Sequence, residues 1–248
     1  HMEYYIITEG RLVSQLKEIL LRKAKEGVEI RIIYDDVGSW SLSRHFIKEL
    51  RNAGVQIYPF LPVRFHRLTR KINYRNHRKI VVVDGVVGFV GGLNVAVRYM
   101  DGVPKIGVWR DVHLRVEGEA VSSLQVNFLI DWYFVRQELL LNKNEYLPYV
   151  RVDGDVIVQT VSSGPDSDWA SIQQSYFTLI NMAKRYVFIS TPYFMPGETT
   201  LNAIKTAAMR GVEVRIMLPH MSDSRLTDGG TRSYVEELLT AGGRMLWY

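Results

Sequence analysis

An internal repeat is the sequence feature that most constrains the fold of this chain. The first copy reads LLRKAKEGVEIRIIYDD and ends at Asp36, and the second reads IKTAAMRGVEVRIMLPH and ends at His220. In both copies an amphipathic helix ends at a glycine and leads into a strand rich in Ile and Val. A further helix and strand follow each copy, in HFIKELRNAGVQIYPF and SYVEELLTAGGRMLWY. Strands that alternate with helices predict an α/β fold with a largely parallel sheet.

Two copies of so long a unit predict two related lobes and not a solenoid, which needs more and shorter repeats. We expect residues 3–150 to form the first lobe and residues 151–248 to form part of a second, joined around Asn142–Asp155. In the first copy Phe60 is followed by a loop and then by further motifs, whereas the corresponding residue of the second copy is Tyr248. The second lobe is therefore expected to be incomplete.

The charge of the chain is mildly basic and unevenly distributed. The net charge is +5, and the stretch from Leu61 to Val83 carries seven Arg and Lys residues without one acidic residue. Such a run is either a solvated loop or an anion-binding segment. Phe65 and Leu68 within it either dock on anionic lipid or belong to a mobile surface loop.

The absence of cysteine excludes disulfides and thiolate metal sites. No apolar run approaches the roughly 18 residues of a membrane span.

The basic stretch leads into the pattern H-x-K-x4-D, formed by His77, Lys79 and Asp84. Ile80–Val83 is a β-branched run that predicts a buried strand. Residues two apart on a strand point to the same face, so His77 and Lys79 are expected to converge. An imidazole can attack the phosphorus of a phosphodiester while an ammonium stabilises the charge on its oxygens. This pair is therefore a candidate catalytic centre that needs neither a metal nor a cofactor.

Asp84 has two interpretations. Its odd separation from His77 aims it at the opposite face of a regular strand, and Asp84-Gly85 is a strong hairpin signal. We favour a structural role, while its place in the motif keeps it among the candidate catalytic residues. Further on, Gly91-Gly92 permits a tight turn from which the Asn94 amide could donate to phosphate.

A nucleophilic imidazole needs an acceptor on its other nitrogen to fix the tautomer. Asp111, which precedes the strand Val112–Val116, is the best candidate. From its spacing alone, Asp111 is equally well an ordinary carboxylate at a strand end.

The pattern H-x-K-x4-D-x6-G-G-x-N resembles the signature of the phospholipase D superfamily. Several further segments resemble bacterial cardiolipin synthases, and the resemblance covers the chain from Glu3 onward. These segments are NYRNHRKIVVVDG, GFVGGLN, WRDVHLRVEG, SSGPDSDW and STPYFMP. The resemblance implies a phospholipase D-like fold, in which a mixed β-sheet is flanked by helices in each of two pseudo-symmetric lobes.

The same resemblance implies roles for individual residues. His77 would form a phosphohistidine, Lys79 and Asn94 would bind the phosphate, and Asp111 would orient His77. Candidate phosphate or headgroup contacts are Arg75, Arg78, Gly92 and Tyr193, the last of which equally well fills a core.

The implied reaction joins two phosphatidylglycerols into cardiolipin and glycerol. Superfamily enzymes use two H-x-K motifs, and none of the other histidines of this chain is followed two residues later by lysine. We therefore expect an excised fragment with little turnover of its own. A homodimer that pairs two single motifs is an alternative, although the second lobe is expected to obstruct it.

The expected partners are phosphatidylglycerol, other anionic phospholipids and the membrane surface, and no nucleic acid is expected. Family members have N-terminal membrane helices, so the parent protein is expected at the bacterial cell membrane and this fragment in solution. Two other functions stay open. One is a phosphodiesterase or nuclease of the same superfamily, and the other is a catalytically silent module that binds anionic lipid.

Overall fold

The computed structural model describes residues 1–63, 74–104, 106–140, 144–149, 152–165, 167–222 and 225–248. These residues form two compact units, His1–Thr160 and Val161–Tyr248. The lobe boundary predicted at residues 150 and 151 falls on residues outside this description and stays a prediction.

The described part of the first unit contains a six-stranded sheet with the order β3-β2-β1-β4-β5-β6. The strands are β1 (Met2–Tyr4), β2 (Arg31–Asp35), β3 (Gln56–Phe60), β4 (Lys79–Val83), β5 (Val87–Gly91) and β6 (His113–Glu117). Strands β1, β2 and β3 are mutually parallel, while β4 pairs antiparallel with β1, β5 with β4, and β6 with β5. The predicted mixed α/β architecture is confirmed.

Helices α1 (Arg11–Lys25) and α2 (Arg44–Asn52) connect the parallel strands. Their apolar residues, among them Val13 and Leu50, pack on one face of the sheet against Ile32. The Ser43 side chain accepts a hydrogen bond from the Phe46 backbone amide and so caps the start of α2. Parallel strands need such crossover connections, which explains why the repeat reads helix, glycine, strand.

Helix α4 (Ala120–Arg136) covers the opposite face of the sheet. Phe128 and Trp132 are fully buried there and pack against Ile33. Because successive residues of a strand point to opposite faces, Ile32 faces α1 and α2 while Ile33 faces α4. The sheet is thus buried on both sides at β2, where all five residues are buried, including the charged Arg31 and Asp35 at its ends.

The hairpin predicted at Asp84-Gly85 is present between β4 and β5. Asp84 has φ 53° and Gly85 φ 67°, and the Val86 amide donates to the Val83 carbonyl at 3.0 Å. Two consecutive positive φ angles define the type I′ turn, which matches the twist of a two-residue hairpin. A short helix α3 (Arg98–Asp101) follows β5, and a 3-10 turn (Asn144–Tyr146) follows α4.

The second unit repeats the alternation of strands and helices. Its elements are α5 (Ser171–Met182), β7 (Tyr186–Ser190), α6 (Glu198–Met209), β8 (Glu213–Leu218), α7 (Arg225–Ser233), α8 (Val235–Thr240) and β9 (Arg244–Trp247). The three strands are parallel in the order β7-β8-β9. Ile204, Ile216 and Leu238 are buried in its core. This succession matches that of β1, β2 and β3 with their helices, as the repeat predicts.

Within the described ranges, no helix combines the length and the apolar character needed to cross a membrane.

Candidate active site

His77 and Lys79 meet where strand β4 begins. The Lys79 Nζ lies 3.0 Å from His77 Nδ1 and 2.7 Å from the His77 carbonyl oxygen, to which it donates. Lys79 is only 4% exposed, whereas His77 is exposed. The structure therefore combines an accessible imidazole with an ammonium group that is held beneath it.

Tyr5 forms one side of this site and has no place in the sequence motif. Its ring centroid lies 4.7 Å from that of His77, and the Lys79 Nζ lies 5.4 Å from the centre of the Tyr5 ring. Tyr5 directly follows β1, whose Tyr4 is paired with Lys79. The sequence offers little signal for this contact, because the antiparallel pairing of β1 with β4 joins strands far apart in the chain.

Asn94 is buried and held by hydrogen bonds at both ends of its amide. Its Oδ1 accepts from the Ile6 backbone amide at 3.0 Å, and its Nδ2 donates to the Tyr99 hydroxyl at 2.7 Å. Nδ2 carries two hydrogens, so one remains for an anionic ligand. The contact with Ile6 ties Asn94 to the residue that follows Tyr5, and Tyr5 itself contacts both His77 and Lys79.

Gly92 and Asp111 are in direct contact. A Cβ atom on Gly92 would lie 2.2 Å from the Asp111 Oδ1, so a larger residue at position 92 would displace the carboxylate. The Asp111 Oδ1 also accepts a hydrogen bond from the Val112 amide at 2.7 Å. Among the described residues no hydrogen bond joins Asp111 to the His77 ring. The orienting role of Asp111 therefore stays a prediction.

The electrostatic environment favours a neutral imidazole. The His77 side chain is exposed, but the protein around it removes water from part of the ring. This partial desolvation, and next the charge of Lys79, lower the pKa of His77, while Asp35 opposes the shift. Burial also lowers the pKa of Lys79 to about 8, an effect that the Asp111 carboxylate opposes. At neutral pH the site thus presents an uncharged nucleophile beside a cation, which suits attack on an anionic phosphodiester.

Two of the predicted phosphate-binding residues are paired with carboxylates. The Arg75 guanidinium lies 3.5 Å from the fully buried Asp35, and the Arg78 guanidinium forms an ion pair with Asp131. Their predicted contacts with a headgroup stay predictions. Sequence reasoning did not identify Asp35 or Asp131 as their partners.

The structure does not bring Asp84 together with His77. Asp84 occupies the hairpin turn at the other end of β4, about 16 Å along the strand from Lys79. A single phosphate cannot contact both ends. The backbone geometry agrees with a turn role for Asp84, since Asp is among the residues that tolerate a positive φ.

The remaining predicted residues belong to the second unit or lie outside the described residues. Tyr193 belongs to the second unit, where its ring is partly exposed. Phe65 and Leu68, together with most of the basic stretch, lie outside the described residues. The described ranges contain no group of three or more His, Asp or Glu side chains with the arrangement of a metal site.

The lowered pKa of Lys79 predicts how anion binding responds to pH. Tungstate, a dianion that resembles phosphate, is expected to bind the site and to lose affinity as pH rises through about 8. The loss should approach tenfold per pH unit above that value, because only the ammonium form attracts an anion. Calorimetric titration at several pH values measures this loss of affinity.

The variant Lys79→Met should bind tungstate weakly at every pH. Lys48→Met, at an exposed position, should behave as the parent does. An affinity that stays constant across this range would contradict the prediction.

Comparison with known proteins identifies the family. The family described as cardiolipin synthase, PLD-like domain, matches residues 1–132 and 176–248. The cardiolipin synthase of Alkalihalophilus pseudofirmus is 47% identical over 249 residues, which cover 100% of this chain and 50% of that protein. Cardiolipin synthase 2 of Bacillus cereus is 48% identical over 250 residues, covering 100% and 48%. The crystal structure of phosphatidylserine synthase from Haemophilus influenzae has a TM-score of 0.67 at 14% identity, covering 100% of this chain and 68% of that one.

The fold is therefore that of a phospholipase D-like α/β protein. The chain belongs to the cardiolipin synthase family of PLD-like domains. It spans about half the length of the curated relatives that it matches.

Proposed function

We propose that this chain carries the nucleophilic half of a phosphatidyltransferase active site that joins two phosphatidylglycerols into cardiolipin and glycerol. The observation that carries the proposal is the contact between the exposed His77 ring and the buried Lys79 ammonium. Asn94, which is hydrogen-bonded to the residue after Tyr5, is proposed to supply a further donor for a phosphate oxygen. The cardiolipin synthases among the relatives supply the reaction class.

The reaction proceeds in two displacements at phosphorus. In the first, the unprotonated ring nitrogen of His77 forms a bond to phosphorus, the bond between phosphorus and the glycerol oxygen breaks, and the departing glycerol takes up a proton. In the second, a hydroxyl of another phosphatidylglycerol attacks, the bond between phosphorus and nitrogen breaks, and the hydroxyl proton is released. Lys79 and Asn94 stabilise the charge on the non-bridging oxygens in both steps.

Both displacements need a group that gives and then accepts the proton. A second H-x-K motif would supply it, and residues 1–248 contain only one. General acid assistance is typically worth about 10²–10⁴-fold. We therefore propose that the isolated chain forms the phosphohistidine slowly and completes few turnovers.

The site is proposed to work at a membrane surface, because its substrate is a phospholipid. We accordingly propose that the parent protein works at the bacterial cell membrane. A further proposed arrangement is a homodimer that pairs two His77 sites. It would be recognised by a dimer in sedimentation analysis and by a turnover number per chain that rises with protein concentration.

The intermediate provides the direct test. Phosphatidylglycerol labelled with ³²P in vesicles is expected to transfer label to the isolated chain, in a form that is labile to acid and stable to alkali. The variant His77→Asn should remain unlabelled, whereas His45→Asn should label like the parent. Label found equally on His77→Asn would refute the proposed nucleophile. Binding to the vesicles without any label would favour a silent lipid-binding module.

A further inference from the structure

A buried polar cluster lies on the face of the sheet opposite the candidate site. Glu3 is paired with Ile33 and Ile80, which point towards α4, whereas Lys79 is paired with Tyr4 on the other face. The cluster beneath α4 consists of Glu3 (0% exposed), Asn76 (5%), Asp131 (7%) and the half-buried Arg78. Burial of so many polar groups is costly unless each of them is hydrogen-bonded.

Asn76 is the centre of this cluster, and both ends of its side-chain amide are engaged. Its Nδ2 donates to the Glu3 Oε1 and, at 3.2 Å, to the Asp131 Oδ2. Its Oδ1 accepts from the Arg78 backbone amide at 3.0 Å. Its own backbone amide donates to the Asp35 Oδ2 at 3.1 Å. Such a set of bonds fixes both the side chain and the backbone of Asn76.

The alternation of side chains connects this cluster to the nucleophile. Asn76 and Arg78 point towards α4, while His77 between them points to the opposite face with Lys79. Because these bonds hold the residues on both sides of His77, its backbone has little freedom to shift along the strand. A displacement of about 1 Å in a catalytic group is enough to cost about a hundredfold in rate.

We propose that Glu3, Asn76 and Asp131 form a positioning network that fixes the backbone on both sides of His77 and so aims its imidazole at the phosphate. This inference rests on the proposed function of His77 and assigns to three residues a role that lies outside the sequence motif. None of the three touches the imidazole.

The charges of the network balance if Glu3 is neutral. Burial, and next the Asp131 carboxylate, raise the pKa of Glu3 well above its ordinary value. The Arg78 guanidinium neutralises Asp131. Glutamine is nearly isosteric with a neutral glutamic acid and keeps the acceptor for Asn76, whereas leucine removes that acceptor at a similar volume.

Five variants of the 248-residue chain separate positioning from mere stability. Asn76→Ala and Glu3→Leu break the network, and Glu3→Gln preserves it. Asn52→Ala repeats the asparagine substitution at an exposed position. Val55→Ala creates a small cavity in the core under α1 and α2, and so lowers stability without touching the network.

Two readouts are taken on every variant at a temperature at which it is folded. One is the tungstate affinity, and the other is the NMR spectrum of the His77 ring, which gives its chemical shifts and its pKa. Asn76→Ala and Glu3→Leu are expected to weaken tungstate binding by about ten- to a hundredfold and to shift the His77 resonances. Glu3→Gln, Asn52→Ala and Val55→Ala should leave both readouts close to those of the parent.

The two readouts distinguish failure of this inference from failure of the proposed function. If Asn76→Ala and Glu3→Leu lose no more affinity than Val55→Ala and leave the His77 resonances in place, the network is only structural and the inference is overturned. If the parent chain binds no tungstate, the proposed phosphate site fails. In that case the His77 resonances alone decide whether the network positions the ring.

Discussion

Replacement of His77 by alanine in the natural gene product is expected to lower cardiolipin formation from phosphatidylglycerol by at least about a thousandfold. The reason is that alanine offers no atom that can form a bond to phosphorus, and Lys79 beneath it cannot reach out in its place because it is only 4% exposed. His77 is exposed and contributes little to the core, so the midpoint of thermal unfolding should hardly change.

The matched control for this experiment is His45→Ala. The His45 side chain is 82% exposed and lies 3.6 Å from Glu49 on the surface of α2. Its removal should leave the rate of cardiolipin formation unchanged. Cardiolipin synthesis by His77→Ala at a rate within tenfold of the parent would show that another group is the nucleophile. A parallel loss in His45→Ala would point to a general loss of folded protein.

The second large effect is expected in the core of the first unit. Trp132→Ala should lower the free energy of unfolding by about 3–5 kcal/mol, because it removes a large side chain that is 0% exposed and leaves a cavity. The ring packs between α4 and the sheet. Its neighbours are Phe128 at 5.9 Å and Tyr58 at 5.7 Å between ring centroids, and the Arg31 guanidinium at 5.7 Å from its centre.

Small domains are typically stable by only about 5–15 kcal/mol, so this loss brings the first unit close to unfolding at ambient temperature. Urea denaturation followed by circular dichroism measures it. Trp169→Ala is the control, since Trp169 is 69% exposed and its loss should change the free energy of unfolding by less than about 0.5 kcal/mol. Equal effects of the two substitutions would contradict the packing described for α4.

Several features of the fold follow from local sequence patterns. The repeat predicted two successions of parallel strands and helices, and both are present. The Asp84-Gly85 pair predicted a two-residue hairpin, and the φ angles of both residues agree. The roles that the motif suggests for His77, Lys79, Asn94 and Asp111 stay predictions. The structure nevertheless places His77 against Lys79, as expected of residues two apart on a strand.

Other features depend on which strands become neighbours. The pairing of β1 with β4 places Tyr5 against the His77 ring and Glu3 behind Asn76. The packing of α4 on the same sheet brings Asp131 to Arg78. These contacts join residues between 53 and 73 positions apart along the chain. A local sequence pattern spans only a few residues and therefore does not predict contacts between residues so far apart.

The sequence by itself determined the helices, the strands, the hairpin and the alternation that sends residues 77 and 79 to one face, because these depend on backbone preferences over a few neighbouring residues. Only the tertiary structure decided that Tyr5 lies beside the imidazole and that carboxylates bind Arg75 and Arg78. The physical reason is that strand order and register arise from burial of both faces of the sheet at once. That burial is a property of the assembled layers and not of any single segment.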